Sequence, residues 1–308
     1  MTPTRTLLAA STFVLFAATY AHAISGGAGI GVDDPGARAT VLVKTPLGLC
    51  SGLVYGDRFI ITAAHCLVGR DFKSTVDPKD VTVDYARSAE RKEMPPAHAA
   101  AVVIHENYLK QWAAWSNAKN DVPFSNALIN HEDIGLIRIT GMHPPHAVSA
   151  VLPEINNEYV VCCLPRPRTW PLLWMDIYGY GSPKHQLGKA RLSTGAPDMV
   201  QRGREPNRDQ PYTPRKFMVS SENPADTGTE SRAVIEICHG DSGGPAFFVA
   251  VTRNHVVPNA SIKLIDGRPL AVGLISNPGS PKDCDDSLSL VRLDYYRDWI
   301  EMHRKQLQ

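Results

Sequence analysis

The 308-residue chain carries almost no excess of charge of either sign: 32 Lys and Arg face 31 Asp and Glu, for a net charge of +1. A nucleic-acid-binding surface draws on a surplus of basic side chains, so no nucleic-acid partner is expected. No apolar run approaches the ~20 residues that span a bilayer as a helix. No Cys-x-x-Cys spacing occurs, which sets aside zinc ribbons and thioredoxin-like redox sites. No acidic cluster has calcium-loop spacing, and neither a metal nor a cofactor is expected. Long amphipathic helices are scarce, and no repeat relates the two halves. A hydrophobic content of 43% with 20% charged residues excludes a disordered or fibrous chain.

The chain does have a distinctive start. Arg5 precedes an uncharged stretch over residues 7–19, and Ala21-His22-Ala23 follows it. A basic residue, a short apolar core and an A-x-A site make up a secretory signal. Residues 1–23 are therefore read as a signal peptide, with residues 24–308 as the mature domain and no membrane anchor once the signal is removed. Secretion places the six cysteines, Cys50, Cys66, Cys162, Cys163, Cys238 and Cys284, in an oxidising compartment.

Short apolar or alternating runs rich in Val and Ile recur at residues 40–44, 58–62, 81–85, 134–139, 175–178, 217–220, 246–251 and 270–275. Turn residues separate them, so an all-β barrel or sandwich is expected. The clearest helix is at the C-terminus, with Asp294 as its cap and Tyr296, Trp299, Ile300, His303 and Leu307 at helical spacing. Residues 106–131 and 182–214 read as surface loops.

Three segments carry chemistry: Thr62-Ala63-Ala64-His65-Cys66, Asp133-Ile134-Gly135-Leu136-Ile137 and Gly240-Asp241-Ser242-Gly243-Gly244-Pro245. A serine hydroxyl is a weak nucleophile near neutral pH; it needs a base, and the base needs an orienting acid. His65, Asp133 and Ser242 supply those groups. Glycines around Asp241 and Ser242 permit unusual backbone angles, and the N–H groups of Gly240 and Ser242 can face a developing oxyanion. Gly240–Gly244 also fits the looser G-x-S-x-G pattern of esterases. That fold places acid and His after the Ser and a helix behind it, whereas here Pro245 and a strand-like run follow.

These three segments, in this order, resemble the signatures of the trypsin/chymotrypsin family of serine proteases, and the resemblance covers nearly all of residues 24–308. It implies two antiparallel β-barrels, over residues 24–150 and 151–308, the second ending in the C-terminal α-helix, with His65, Asp133 and Ser242 in the cleft between them. It implies a secreted serine endopeptidase, monomeric, whose partners are protein or peptide substrates. The alternative is a catalytically silent, protein-binding homologue of the same fold. Cleavage after Ala23 exposes Ile24-Ser25-Gly26-Gly27, similar to the family's activated N-terminus, whose amine pairs with the Asp before the nucleophile, here Asp241. The resemblance pairs Cys50 with Cys66 and Cys238 with Cys284, bridges worth roughly 3 and 4 kcal/mol through chain entropy; Cys162 and Cys163 are left without an assigned fate. It puts Glu236 at the floor of the specificity pocket, pointing to substrates with Arg or Lys, and Ser276 and Pro278 at its wall. Ser276 supports Asp133 by the same resemblance, while Pro278 lacks the N–H that a Gly offers the substrate backbone.

Overall fold

The computed structural model describes residues 24, 30, 33–69, 71, 73–85, 95–117, 132–154, 172–181, 187–194, 216–220, 237–252, 260–276 and 287–308. A short helix α1 (Pro35–Arg38) leads into the first closed barrel, built from β1 (Thr40–Thr45), β2 (Gly48–Tyr55), β3 (Phe59–Thr62), β4 (Thr82–Tyr85), β5 (Ala97–Ile104) and β6 (Gly135–Ile139), in the order β1-β2-β3-β6-β5-β4. Helix α2 (Glu106–Asn117) stands between β5 and β6. The second closed barrel contains β7 (Leu172–Gly179), β8 (Gly188–Thr194), β9 (Lys216–Ser220), β10 (Pro245–Thr252), β13 (Ala271–Ile275) and β14 (Ser287–Arg292), in the order β10-β13-β14-β9-β8-β7. A hairpin of β11 (Leu264–Ile265) and β12 (Arg268–Pro269) precedes β13, and α3 (Arg297–Gln306) ends the chain. The described pairings within both barrels are antiparallel.

Alternation along the strands explains how two barrels share one seam. Successive side chains of a strand point to opposite faces. Val54, Ile60 and Ile137 fill the first barrel with Val41, Val43 and Val83. Their chain neighbours Leu53, Ile61 and Leu136 join a core that draws on both barrels. In the second barrel Ile177, Phe248, Ile275 and Leu290 point inward, while Tyr178, Phe247, Leu274 and Val291 point to the shared core. Each fully buried side chain of this size contributes roughly 1.5–3 kcal/mol. Continuous apolar runs such as Phe59-Ile60-Ile61 are therefore strands buried on both faces.

All eight expected strands form, within a residue or so at most ends. Three expectations are corrected. Residues 106–117 of the expected first loop are α2, whose polar face hid its helical character. Residues 188–194 of the expected second loop are β8, which pairs with β7 from Gly179↔Gly188 to Trp174↔Ser193. Asp294 does not cap the last helix: it accepts from Arg292 Nε at 3.0 Å in a buried ion pair, and Tyr296 takes the cap position without a side-chain bond. Strand β2 begins with Gly, Leu, Cys, Ser and Gly and β5 with Ala and His, and β-branched residues appear only toward their ends, at Val54 and at Val102, Val103 and Ile104, so propensity alone reveals them poorly.

α3 closes the seam. Trp299 and Ile300 are buried, Trp299 Nε1 donates to Glu106 on α2 at 3.0 Å, and Glu301 accepts from Tyr55 on β2.

The first barrel also holds a partly buried histidine. His143 follows β6; its Nδ1 lies 2.6 Å from Tyr85 Oη and its Nε2 3.1 Å from the Phe59 carbonyl. The carbonyl can only accept, so Nε2 carries the proton and Nδ1 accepts from Tyr85. Burial disfavours the charged ring and pushes its pKa down from 6.5 to about 4. With the folded pKa below the unfolded one, the stabilisation is present above pH ~6.5 and is lost as pH falls through the folded value. We expect a loss on the order of 2–3 kcal/mol between pH 6.5 and 4. Urea midpoints of wild type and His143→Gln across that range check this: the gap between the two proteins should shrink toward pH 4, and parallel curves would exclude His143 as the cause.

Candidate active site

His65 sits on a 3₁₀ turn, Ala64–Leu67, directly after β3. The neighbouring Cys66 is bridged to Cys50 on β2, with an S–S length of 2.04 Å, so the turn is stapled to the barrel wall. Asp133 lies just before β6 and is completely buried. Its Oδ1 accepts from the backbone N–H of His65 at 2.9 Å. Its Oδ2 lies 2.9 Å from His65 Nδ1 and accepts from Ser276 Oγ at 2.5 Å. An ionised carboxylate can only accept, so His65 carries its proton on Nδ1. Nε2 is left as the basic nitrogen. The His65 side chain is 19% exposed, enough to meet a substrate. Tyr108 is buried behind Asp133, and burial together with that carboxylate holds its phenol well above its ordinary pKa.

Ser242 comes from the second barrel, on the turn that enters β10, and is almost wholly buried. The turn is tied down through its backbone. Ser242's carbonyl accepts from the Ser51 N–H at 2.7 Å, Gly243 donates to the Ile275 carbonyl at 2.7 Å, and Gly244 donates to the Asp241 carbonyl at 2.9 Å. Gly240 and Gly243 have φ of 106° and 79°, in the left-handed region that L side chains avoid. A Cβ on Gly243 would stand 2.1 Å from Thr62 Oγ1 and 2.3 Å from the Ser51 carbonyl oxygen. Gly243 therefore lets the Ser242 turn press against the barrel that carries His65, while a Cβ on Gly240 would stand 2.9 Å from the Tyr180 carbonyl oxygen.

Asp241 points the other way, into the second barrel, and is fully buried. It accepts from the N–H groups of Gly181 at 2.7 Å and Cys238 at 2.8 Å. A Cβ on Gly179 or Gly181 would stand 2.2 or 2.5 Å from its oxygens, so the Gly179-Tyr180-Gly181 segment wraps the carboxylate. Burial outweighs the two hydrogen bonds and pushes the Asp241 pKa up to about 7. Ile24 is also fully buried, in the second-barrel core with Ile177 and Ile237.

The structure thus gathers His65, Asp133, Ser242 and Ser276 at the seam and sets Asp241 and Ile24 behind them. Ser276 touches Asp133. Glu236, Pro278, Cys162, Cys163, Cys284 and the signal segment lie outside the described residues; Cys238 is disulfide-bonded. Among the described residues, Cys50, His65 and Cys66 are the one trio whose donor atoms converge closely enough for a metal, but both sulfurs are committed to the disulfide. Sequence reasoning missed Ser51, Gly179 and Gly181. The Gly-x-Gly at 179–181 was a visible signal; nothing in the sequence marked Ser51.

A family model described as Trypsin matches residues 33–300. Among solved structures, the chain is similar to the scabies mite inactivated protease paralogue S-D1. The identity is 17%, with 92% of this chain and 98% of that one covered and a TM-score of 0.56. It is likewise similar to the scabies mite inactivated protease paralogue S-I1, at 17% identity, 91% and 99% coverage and a TM-score of 0.53.

Gly141 shares the φ of 79° with Gly243, yet a Cβ there meets nothing within 4 Å. The pair separates backbone strain from crowding. Gly141→Ala should cost about 1 kcal/mol, the strain alone. Gly243→Ala should cost roughly 2 kcal/mol more, because Ser51 and Thr62 must also move. Denaturant titrations of both variants check this; equal losses would mean that Gly243 is needed only for its angle.

Proposed function

This chain belongs to the trypsin family, and we propose that it is a secreted serine endopeptidase. The observation that carries the reading is the Asp133 carboxylate. It is fully buried, held by donors from both barrels, and placed to fix the tautomer of a partly exposed histidine, whose chain neighbour Cys66 brings its sulfur within 3.9 Å of the Ser242 carbonyl. In the proposed reaction His65 Nε2 takes the Ser242 proton as Oγ attacks the scissile carbonyl. The N–H groups of Gly240 and Ser242 stabilise the resulting oxyanion. As the tetrahedral intermediate collapses, the His65 proton passes to the leaving amine and an acyl-enzyme remains on Ser242. Water, deprotonated by His65, then releases the acid and restores the serine. Asp133 stays ionised throughout and stabilises the imidazolium.

The N-terminal part of the proposal is that residues 1–23 are removed and the Ile24 amine pairs with Asp241. Two observations support it. Ile24 already lies in the second-barrel core beside Ile177 and Ile237. Asp241 is a buried carboxylate whose raised pKa marks a site that a cation would stabilise. Glu236 is proposed to direct cleavage after Arg or Lys, and the partners are protein or peptide substrates met by a monomer in the extracellular or periplasmic space. The similar solved structures are named as inactivated paralogues, which keeps a silent, protein-binding homologue as the rival. The bonded His65–Asp133–Ser276 arrangement favours the active reading.

Ser242→Ala should abolish hydrolysis, a loss on the order of 10⁴-fold or more, with the fold retained. The check uses peptides bearing Arg, Lys, Phe or Ala before the scissile bond, together with fluorophosphonate labelling of wild type. Hydrolysis that persists in pure Ser242→Ala, or a wild type that neither cleaves nor labels, overturns the proposal. N-terminal sequencing of secreted, active protein should begin at Ile24; a start several residues away would defeat the proposed pairing with Asp241.

A further inference from the structure

Ser51 lies on β2, beside the Cys50 bridge, and is completely buried. Every polar group of the residue has a partner. Its N–H donates to the Ser242 carbonyl at 2.7 Å, and its carbonyl accepts from Thr62 Oγ1 at 2.7 Å. Its side-chain oxygen accepts from the Tyr180 N–H at 2.8 Å and donates to the Gly240 carbonyl at 2.7 Å. The Tyr180 amide can only donate and the Gly240 carbonyl can only accept. The hydroxyl proton is therefore committed to Gly240.

We propose that Ser51 is a positioning residue for the oxyanion hole, the hydroxyl by which the first barrel holds the Gly240 loop in its catalytic shape. The proposal rests on the protease reading. The planar peptide between Gly240 and Asp241 is gripped at both ends: Ser51 Oγ holds its carbonyl, and the Cys238 carbonyl accepts from its N–H at 3.0 Å. What then remains to aim the Gly240 N–H is the rotation about Gly240 itself. Glycine is the residue with the most backbone freedom, and Gly240 stands at φ of 106°. A loop with so little intrinsic preference needs an external clamp, and Ser51 supplies it from across the seam. Tyr180 joins the same hydroxyl, so the clamp also fixes the segment that wraps Asp241. Ser51 touches no substrate atom. Its effect is confined to how well the two N–H groups are pre-aimed at an oxygen that becomes negative only in the transition state.

The test compares wild type with Ser51→Ala and Ser51→Gly in the secreted, processed protein. Ser51→Gly adds no bulk and keeps both backbone bonds, so it covers the case in which Ser51→Ala fails to fold. Both variants should lose about tenfold in kcat, the worth of one buried hydrogen bond, with KM within about twofold of wild type. Affinity for phenylboronic acid, whose tetrahedral adduct on Ser242 places an oxygen in the hole, should fall by a similar factor. A merely structural serine would lower thermal stability while leaving kcat and boronate affinity unchanged, and that result overturns the proposal. An inert wild type defeats the protease reading and the clamp with it, whereas an active wild type matched by both variants defeats the clamp alone.

Discussion

The carboxylate of Asp133 is the constraint around which the seam is arranged. A fully buried charge is tolerated only when donors surround it. Here the donors come from separate parts of the chain: the amide and ring of His65 from the turn after β3, and the hydroxyl of Ser276 from the end of β13. Neither barrel can satisfy Asp133 alone. The same bonds that neutralise the cost of burial also orient the imidazole, so docking the barrels and aligning the site are one event.

The second buried carboxylate behaves differently. Asp241 has two backbone donors and no side-chain cation among the described residues, and its pKa rises to about 7. Asp133 is a finished structural site; Asp241 is one whose charge state responds to what approaches it. Because Asp241 and Ser242 are consecutive, whatever settles Asp241 also settles the turn that presents Ser242. Ser51 holds that turn from the opposite side through Ser242, Gly240 and Tyr180. The loop is thus gripped by both barrels, with glycines at the places where any side chain would collide.

α3 shows the same economy in the shared core. Its buried face, Trp299 and Ile300, packs on residues of both barrels. Polar links to Glu106 and to Tyr55 tie it to α2 and β2. The segment that follows the second barrel in the chain thereby secures the first.

Local chemistry determined a good deal by itself. The runs that became β1, β3, β4, β6, β7, β9, β10 and β13 were legible because β-branched and aromatic residues fit a pleated, buried surface. The His65, Asp133 and Ser242 segments were legible because a serine nucleophile requires those partners, and their order separated this family from esterases. Tertiary structure decided the rest. β2 and β5 are strands because a barrel must close, despite their Gly, Ser and Ala. Residues 188–194 form a strand because β7 offers them a partner edge. Asp294 serves Arg292 because a buried guanidinium needs a carboxylate more than the helix needs a cap. Ser51 acquired its place only when two barrels met: its hydroxyl bonds Gly240, 189 positions away, and no local pattern encodes a contact between residues that folding alone brings together.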